Sequence, residues 1–126
     1  RSVYTFIMRS LIDPFIEGFD GATTDTSCPE RFQTTQPTQA LTLINSGFMH
    51  RSAESLAKRI HRKASGDQKQ QIKLAWKLAT GREASSKQIN TALQFMKNYP
   101  KPSDELKILH QYCLIVLNLN EFLFVD

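Results

Sequence analysis

The motifs that mark several common chemistries are missing from this sequence. It has no glycine-rich phosphate loop, no HExxH pair, no CxxCH haem attachment and no GxSxG nucleophile elbow. Those absences count against the commonest nucleotide-binding, zinc-protease, cytochrome c and serine-hydrolase readings. There are only two cysteines, Cys28 and Cys113, so at most one internal disulfide exists. Free, buried thiols are the preferred reading, with Cys28 in a loop-like stretch and Cys113 in an apolar one. No apolar run reaches the roughly 18 residues of a membrane span. The first residues lack the basic, apolar and small-residue order of a signal peptide.

What is present is enough for a core. The 126 residues match the commonest domain size, and the eight Phe, three Tyr and single Trp need burial. The expected fold is all-α: a helical bundle of about five to seven helices with a long irregular loop near residues 20–36. It is read as a single domain over 1–126, expected to be the C-terminal part of a longer domain or protein.

Apolar spacing gives the helices. Positions 4, 7, 8 and 11 place one helix over Arg1–Ile12, ended by Asp13-Pro14. Pro14–Phe19 is a further helical turn opened by proline. Residues 20–36 are rich in Gly, Thr, Ser, Asp and Pro and have no period. Pro37 opens a helix to Ile44, and Asn45-Ser46-Gly47 is a turn. Apolar positions 49, 53, 56, 57, 60 and 64 predict a helix over Phe48–Ala64. Asp67 caps the next, Gln68–Thr80, with Gly81 as left-handed C-cap. Ser85 and Gln88 form a capping box before a stripe at 89, 92, 93, 96 and 99. Ser103 is expected to cap the last long helix, over Leu106–Leu119. That helix is apolar on most of its surface and reads as the hub of the bundle.

Charge is uneven. Residues 1–30 carry net −3, residues 31–101 net +10 and residues 102–126 net −3. The run Lys58, Arg59, Arg62 and Lys63 is the candidate anion-binding site, against the plainer reading of a solvated face near a helix C-terminus. His110 and Cys113 share the spacing of paired metal ligands, but two ligands are not a site, and no further Cys or His is expected beside them. No metal site is expected, and no cofactor in this chain. His50 and His61 are expected to be solvated.

A candidate polar cluster consists of Asp20, Arg31, Asn45, Arg82, Asn118, Asn120 and Glu121, with Cys28 and Gln39 as further polar positions of interest. Asn118 and Asn120 interrupt an apolar stretch and must find partners there. Arg31 or Arg82 is expected to pair with Glu121 or Asp126 and pin the loop to the bundle.

Arg1-Ser2-Val3-Tyr4, Phe19-Asp20, Ser27-Cys28-Pro29-Glu30-Arg31, Thr34 to Leu41, Leu43-Ile44-Asn45, Ala79-Thr80-Gly81-Arg82 and Leu117 to Phe122 form an ordered series along nearly the whole chain. The series resembles the C-terminal planctomycete-specific domain of unknown function, found in large bacterial proteins that often carry cytochrome c-like modules. Met49 stands where that pattern more often has Val, a conservative packing change. The resemblance implies an exported bacterial protein, periplasmic or at the cell surface, but supplies no activity. Three functions are carried forward. The first is a non-catalytic interaction or scaffold module whose partners are other domains of the parent protein, with acidic glycan as a further partner. The second is the C-terminal portion of an enzyme acting on polysaccharide, its site completed by a missing N-terminal part. The third is a polyanion or nucleic-acid binding module, with nucleic acid the least favoured partner.

Overall fold

The computed structural model describes residues 6, 11–22, 37–100 and 104–123. Among them are seven helices: α1 Pro14–Gly18, α2 Pro37–Asn45, α3 Gly47–Lys63, α4 Gln68–Thr80, α5 Ser86–Lys97, α6 Glu105–Val116 and α7 Asn120–Leu123. No strand appears among the described residues, and the all-α expectation holds. No helix there is long and apolar enough to cross a membrane. Contacts cluster into two compact units, residues 1–43 and 44–126.

In the first unit, the expected helix over Arg1–Ile12 is not supported where it is described. Phe6 and Leu11–Asp13 are not helical, and Phe6 and Leu11 are exposed. Periodic apolar positions describe a helix only if something covers the face they make, and Leu11, the described member of that face, is left open. The loop at 23–36, with Cys28 and Arg31, lies outside the described residues. The turn opened by Pro14 does form, and its end is informative. The Gly21 N–H donates to the Ile16 carbonyl (2.9 Å), and the Asp20 N–H to that of Glu17 (3.1 Å). Asp20 takes φ 55°, the left-handed residue of a Schellman-type helix end. A Cβ on Gly21 would meet the Ile16 side chain and lie 2.7 Å from its carbonyl oxygen, so only glycine fits there.

The second unit is built as the spacing predicts. The Asp67 side chain accepts from the Gln70 N–H, and Gly81 sits at φ 72°. The Ser85–Gln88 capping box closes in both directions. Ser46 alone separates α2 from α3, so the expected three-residue turn is reduced to one residue. α6 begins one residue after Asp104, whose side chain accepts from the Lys107 N–H. Asp104 therefore takes the capping role assigned to Ser103, which lies outside the described residues. A carboxylate at that position also favours the positive helix end.

Met49, Ala53, Ala57 and Ile60 make the buried stripe of α3. α6 answers with Leu109, Tyr112, Cys113 and Val116. α3 and α6 form the most extensive helix pair, and the small Ala53 and Ala57, both fully buried, permit close approach. Centrality is shared: α6 also packs on α4 and α5, while α4 meets α3, α5, α6 and α7. Gln71, not singled out by its polarity, is buried because its amide donates to the Ala64 carbonyl at the end of α3 (3.0 Å).

Candidate functional site

Of the candidate cluster, Asp20 lies in the first unit, and Asn45, Arg82, Asn118, Asn120 and Glu121 lie in the second, at or just beyond the ends of α2, α4 and α6 and on α7. Asp20 closes α1. Asn45 ends α2 and is exposed, and Arg82 is exposed in the link between α4 and α5. The Arg82 N–H donates to Thr80 Oγ1 (3.3 Å). Asn120 and Glu121 begin α7 and are exposed. Among the described residues, no ion pair joins Arg82 to Glu121. The Arg82–Glu121 alternative is thus not found: both residues stand in solvent, where an ion pair gains little over hydration, and the alternatives through Arg31 or Asp126 involve residues outside the described set. Arg31 and Asp126 lie outside the described residues. Gln39 is buried in α2.

Asn118, half-buried, behaves as its position predicts. Its Nδ2 donates to the Leu114 carbonyl (2.7 Å), one turn back. This bond satisfies a carbonyl that the end of α6 would otherwise leave open. Its Oδ1 is buried without a partner among the described residues.

The basic run is divided. Lys58 reaches Glu54 at 2.6 Å, and Arg59, Arg62 and Lys63 are exposed. Arg62 and Lys63, with His61, occupy the last turn of α3, where the helix dipole favours cations. Lys63 joins Lys73 and Lys77 around an open depression of about 440 Å³, which also holds Asp67 and Glu83. Lys77 is paired with Glu83 at 3.0 Å.

Two histidines meet where none was expected. His110 Nε2 lies 3.2 Å from the His50 carbonyl oxygen and must donate to it. The two rings stand 5.7 Å apart, tilted by 43°. Position 50 follows the buried Met49 on α3, so the α3–α6 pairing carries it to the edge of α6. Neither ring is fully solvated, and the same holds for His61. The described residues contain no group of three or more His, Cys, Asp or Glu that could hold a metal ion.

A second open depression of this unit is apolar. A groove of about 360 Å³ runs between α4, α5 and α6, lined by Trp76, Phe95, Tyr112, Ile115 and Leu119, with Lys87 at its rim. Ile115 is 45% exposed, so α6 is not enclosed on every side as its composition suggested.

A family model described as PSD1, protein of unknown function (DUF1553), matches residues 1–96. The chain belongs to this family. The match covers α1 to α4 and nearly all of α5, and stops short of α6. The Leu117 to Phe122 block of the resemblance therefore lies beyond the matched span. No curated protein and no solved structure matches the chain.

Two titratable groups among the described residues, Tyr112 and Cys113, sit in the core. Burial pushes the Cys113 thiol up to about 12. Burial, with a smaller contribution from the neighbouring Cys113, raises Tyr112 to about 12. Cys113 is a free thiol. Both folded-state values lie above the unfolded ones, so the folded protein holds protons that the unfolded chain releases. Their contribution to stability is complete below the unfolded values, near ~8.5 for Cys and ~10 for Tyr, and is lost as pH rises toward the folded values. The melting temperature is expected to fall between about pH 9 and 12. Cys113→Ala should flatten the early part of that fall; an unchanged slope in the variant would remove Cys113 as a cause.

Proposed function

We propose that this domain is a non-catalytic interaction module within a larger exported bacterial multidomain protein, periplasmic or at the cell surface, with other domains of that protein as partners. One observation carries the reading. Asn45 and Arg82 stand exposed at the end of α2 and in the α4–α5 link, and Asn120 with Glu121 on α7, none of them lining the apolar groove that residues 44–126 present beside their charged depression. A catalytic constellation needs its members held within hydrogen-bond reach of one reacting atom. An interaction module needs accessible apolar surface with a polar rim. The export and the multidomain setting rest on the resemblance of the sequence blocks.

The test mixes this chain with the remainder of its parent protein, supplied separately, and follows binding by calorimetry. The intact parent is assayed in parallel against acidic polysaccharides. Saturable binding with no turnover is expected. Turnover that disappears in Glu121→Gln or Asn120→Ala, with no binding in trans, would replace the module by the polysaccharide enzyme.

A further inference from the structure

We propose that the charged depression between the end of α3 and α4 binds an acidic polysaccharide through its uronate carboxylates and hydroxyls. This goes beyond the module reading, whose partners are other domains of the parent protein, and it stands or falls separately.

The depression has a volume of about 440 Å³, within the range of small-ligand sites. Lys63 ends α3, and α3 packs on α4. Lys73 and Lys77, one turn apart on α4, line the same depression as Lys63. Of these three cations only Lys63 belongs to the basic run visible in the sequence, and the packing of the two helices adds the others. Among the described residues Lys77 is paired with Glu83 at 3.0 Å, whereas neither Lys63 nor Lys73 is in an ion pair. Around them, residues 58–77 hold seven Lys and Arg against one Asp, in a chain whose net charge is only +4. Anions are therefore drawn to this pair of helices.

The other groups in the depression select the kind of anion. Asp67 and Glu83 stand among the lysines, and Gln70 adds an amide. Asp67 accepts the Gln70 N–H at Oδ1 (3.1 Å), and a carboxylate has room for further donors. A partner bearing only anions would meet these two carboxylates as like charges. A sugar ring with one carboxylate and several hydroxyls meets no such conflict. Its carboxylate goes to Lys63 or Lys73, and its hydroxyls donate to Asp67 and to the Gln70 amide oxygen. The apolar part of the lining is Ala64 and Leu74, with no aromatic residue, Met or Arg. Nucleic-acid bases find no stacking surface there, and a protein partner finds none of the anchors that dominate protein interfaces.

The probe is a short galacturonate oligomer, compared by calorimetry with its neutral methyl ester and with glutamate and thymidine oligomers of equal charge. The galacturonate should bind saturably and at least about tenfold more tightly than each of the other three. Lys63→Gln with Lys73→Gln should weaken that binding at least about tenfold. Lys58→Gln with Arg59→Gln removes two cations of α3 that do not line the depression, and should change it less than about threefold. Gln70→Ala should weaken galacturonate binding and leave that of the glutamate oligomer unchanged. All five side chains are exposed, and melting curves establish that each variant keeps its fold. Galacturonate affinity no greater than that of the glutamate oligomer, equal losses in the two double variants, or no saturable binding would each overturn the proposal. A thymidine oligomer that binds tightest would overturn it in favour of nucleic acid. Binding to the rest of the parent protein is measured on its own, so none of these results decides the module reading.

Discussion

Val116→Asp is expected to unfold residues 44–126. Val116 is 1% exposed, near the end of a helix that packs on α3, α4 and α5. The new carboxylate would have to lose its hydration in an apolar site or break the packing to reach water. Substitutions of this kind lie in the exceptional class above about 4–5 kcal/mol. A domain of ordinary stability has roughly 5–15 kcal/mol in total, so little or nothing would remain. Circular dichroism in a urea series measures the effect. Ile115→Asp is the control, one residue away but half open to solvent, and should cost far less. A soluble Val116→Asp protein with a cooperative transition at the parent midpoint would refute the central place given to α6.

Leu109→Ala should be the next most damaging change. Leu109 is 1% exposed on the same face as Tyr112, Cys113 and Val116. Truncation removes buried methyl groups and leaves a cavity that two long helices cannot readily close, at about 2–5 kcal/mol. Leu78→Ala is a fitting comparison, since Leu78 is 37% exposed and its removal opens no enclosed space. Denaturant midpoints at unchanged m-value decide the matter. A loss below about 1 kcal/mol for Leu109→Ala would mean that the α3–α6 pairing is looser than its burial implies.

The parts of this fold that can be read from sequence are those decided within one turn of chain. Asp67, Gly81 and the Ser85–Gln88 box act on backbone groups three or four residues away, so α4 and α5 begin where these residues say. Pro14 and Pro37 open α1 and α2 for the same local reason. The buried stripe of α3 is legible because a repeat of three and four residues has one geometric meaning. Pairings between distant segments are not legible in this way. Nothing in the order of residues says that His50 lies beside His110, or that Gln71 reaches Ala64. Asp104 and the Ser103 before it were both competent caps, and register alone chose between them. The candidate polar residues show their chemistry in the sequence and not their address. Chemistry survives in the sequence, whereas proximity depends on how α3 to α7 pack.

The pairing of α3 with α6 also sets an order of events during synthesis. The stripe of Met49, Ala53, Ala57 and Ile60 leaves the ribosome first, and its principal partner is more than forty residues behind. Until Val116 has emerged, the part of the α3 face that packs on α6 stays uncovered, next to four cations at 58, 59, 62 and 63. A nascent chain in that condition is a target for chaperones and for unintended association. The matched family span ends at residue 96, before the segment that covers this face. A polypeptide stopped there would possess α1 to α4 and nearly all of α5 and still lack α6, the main packing partner of α3.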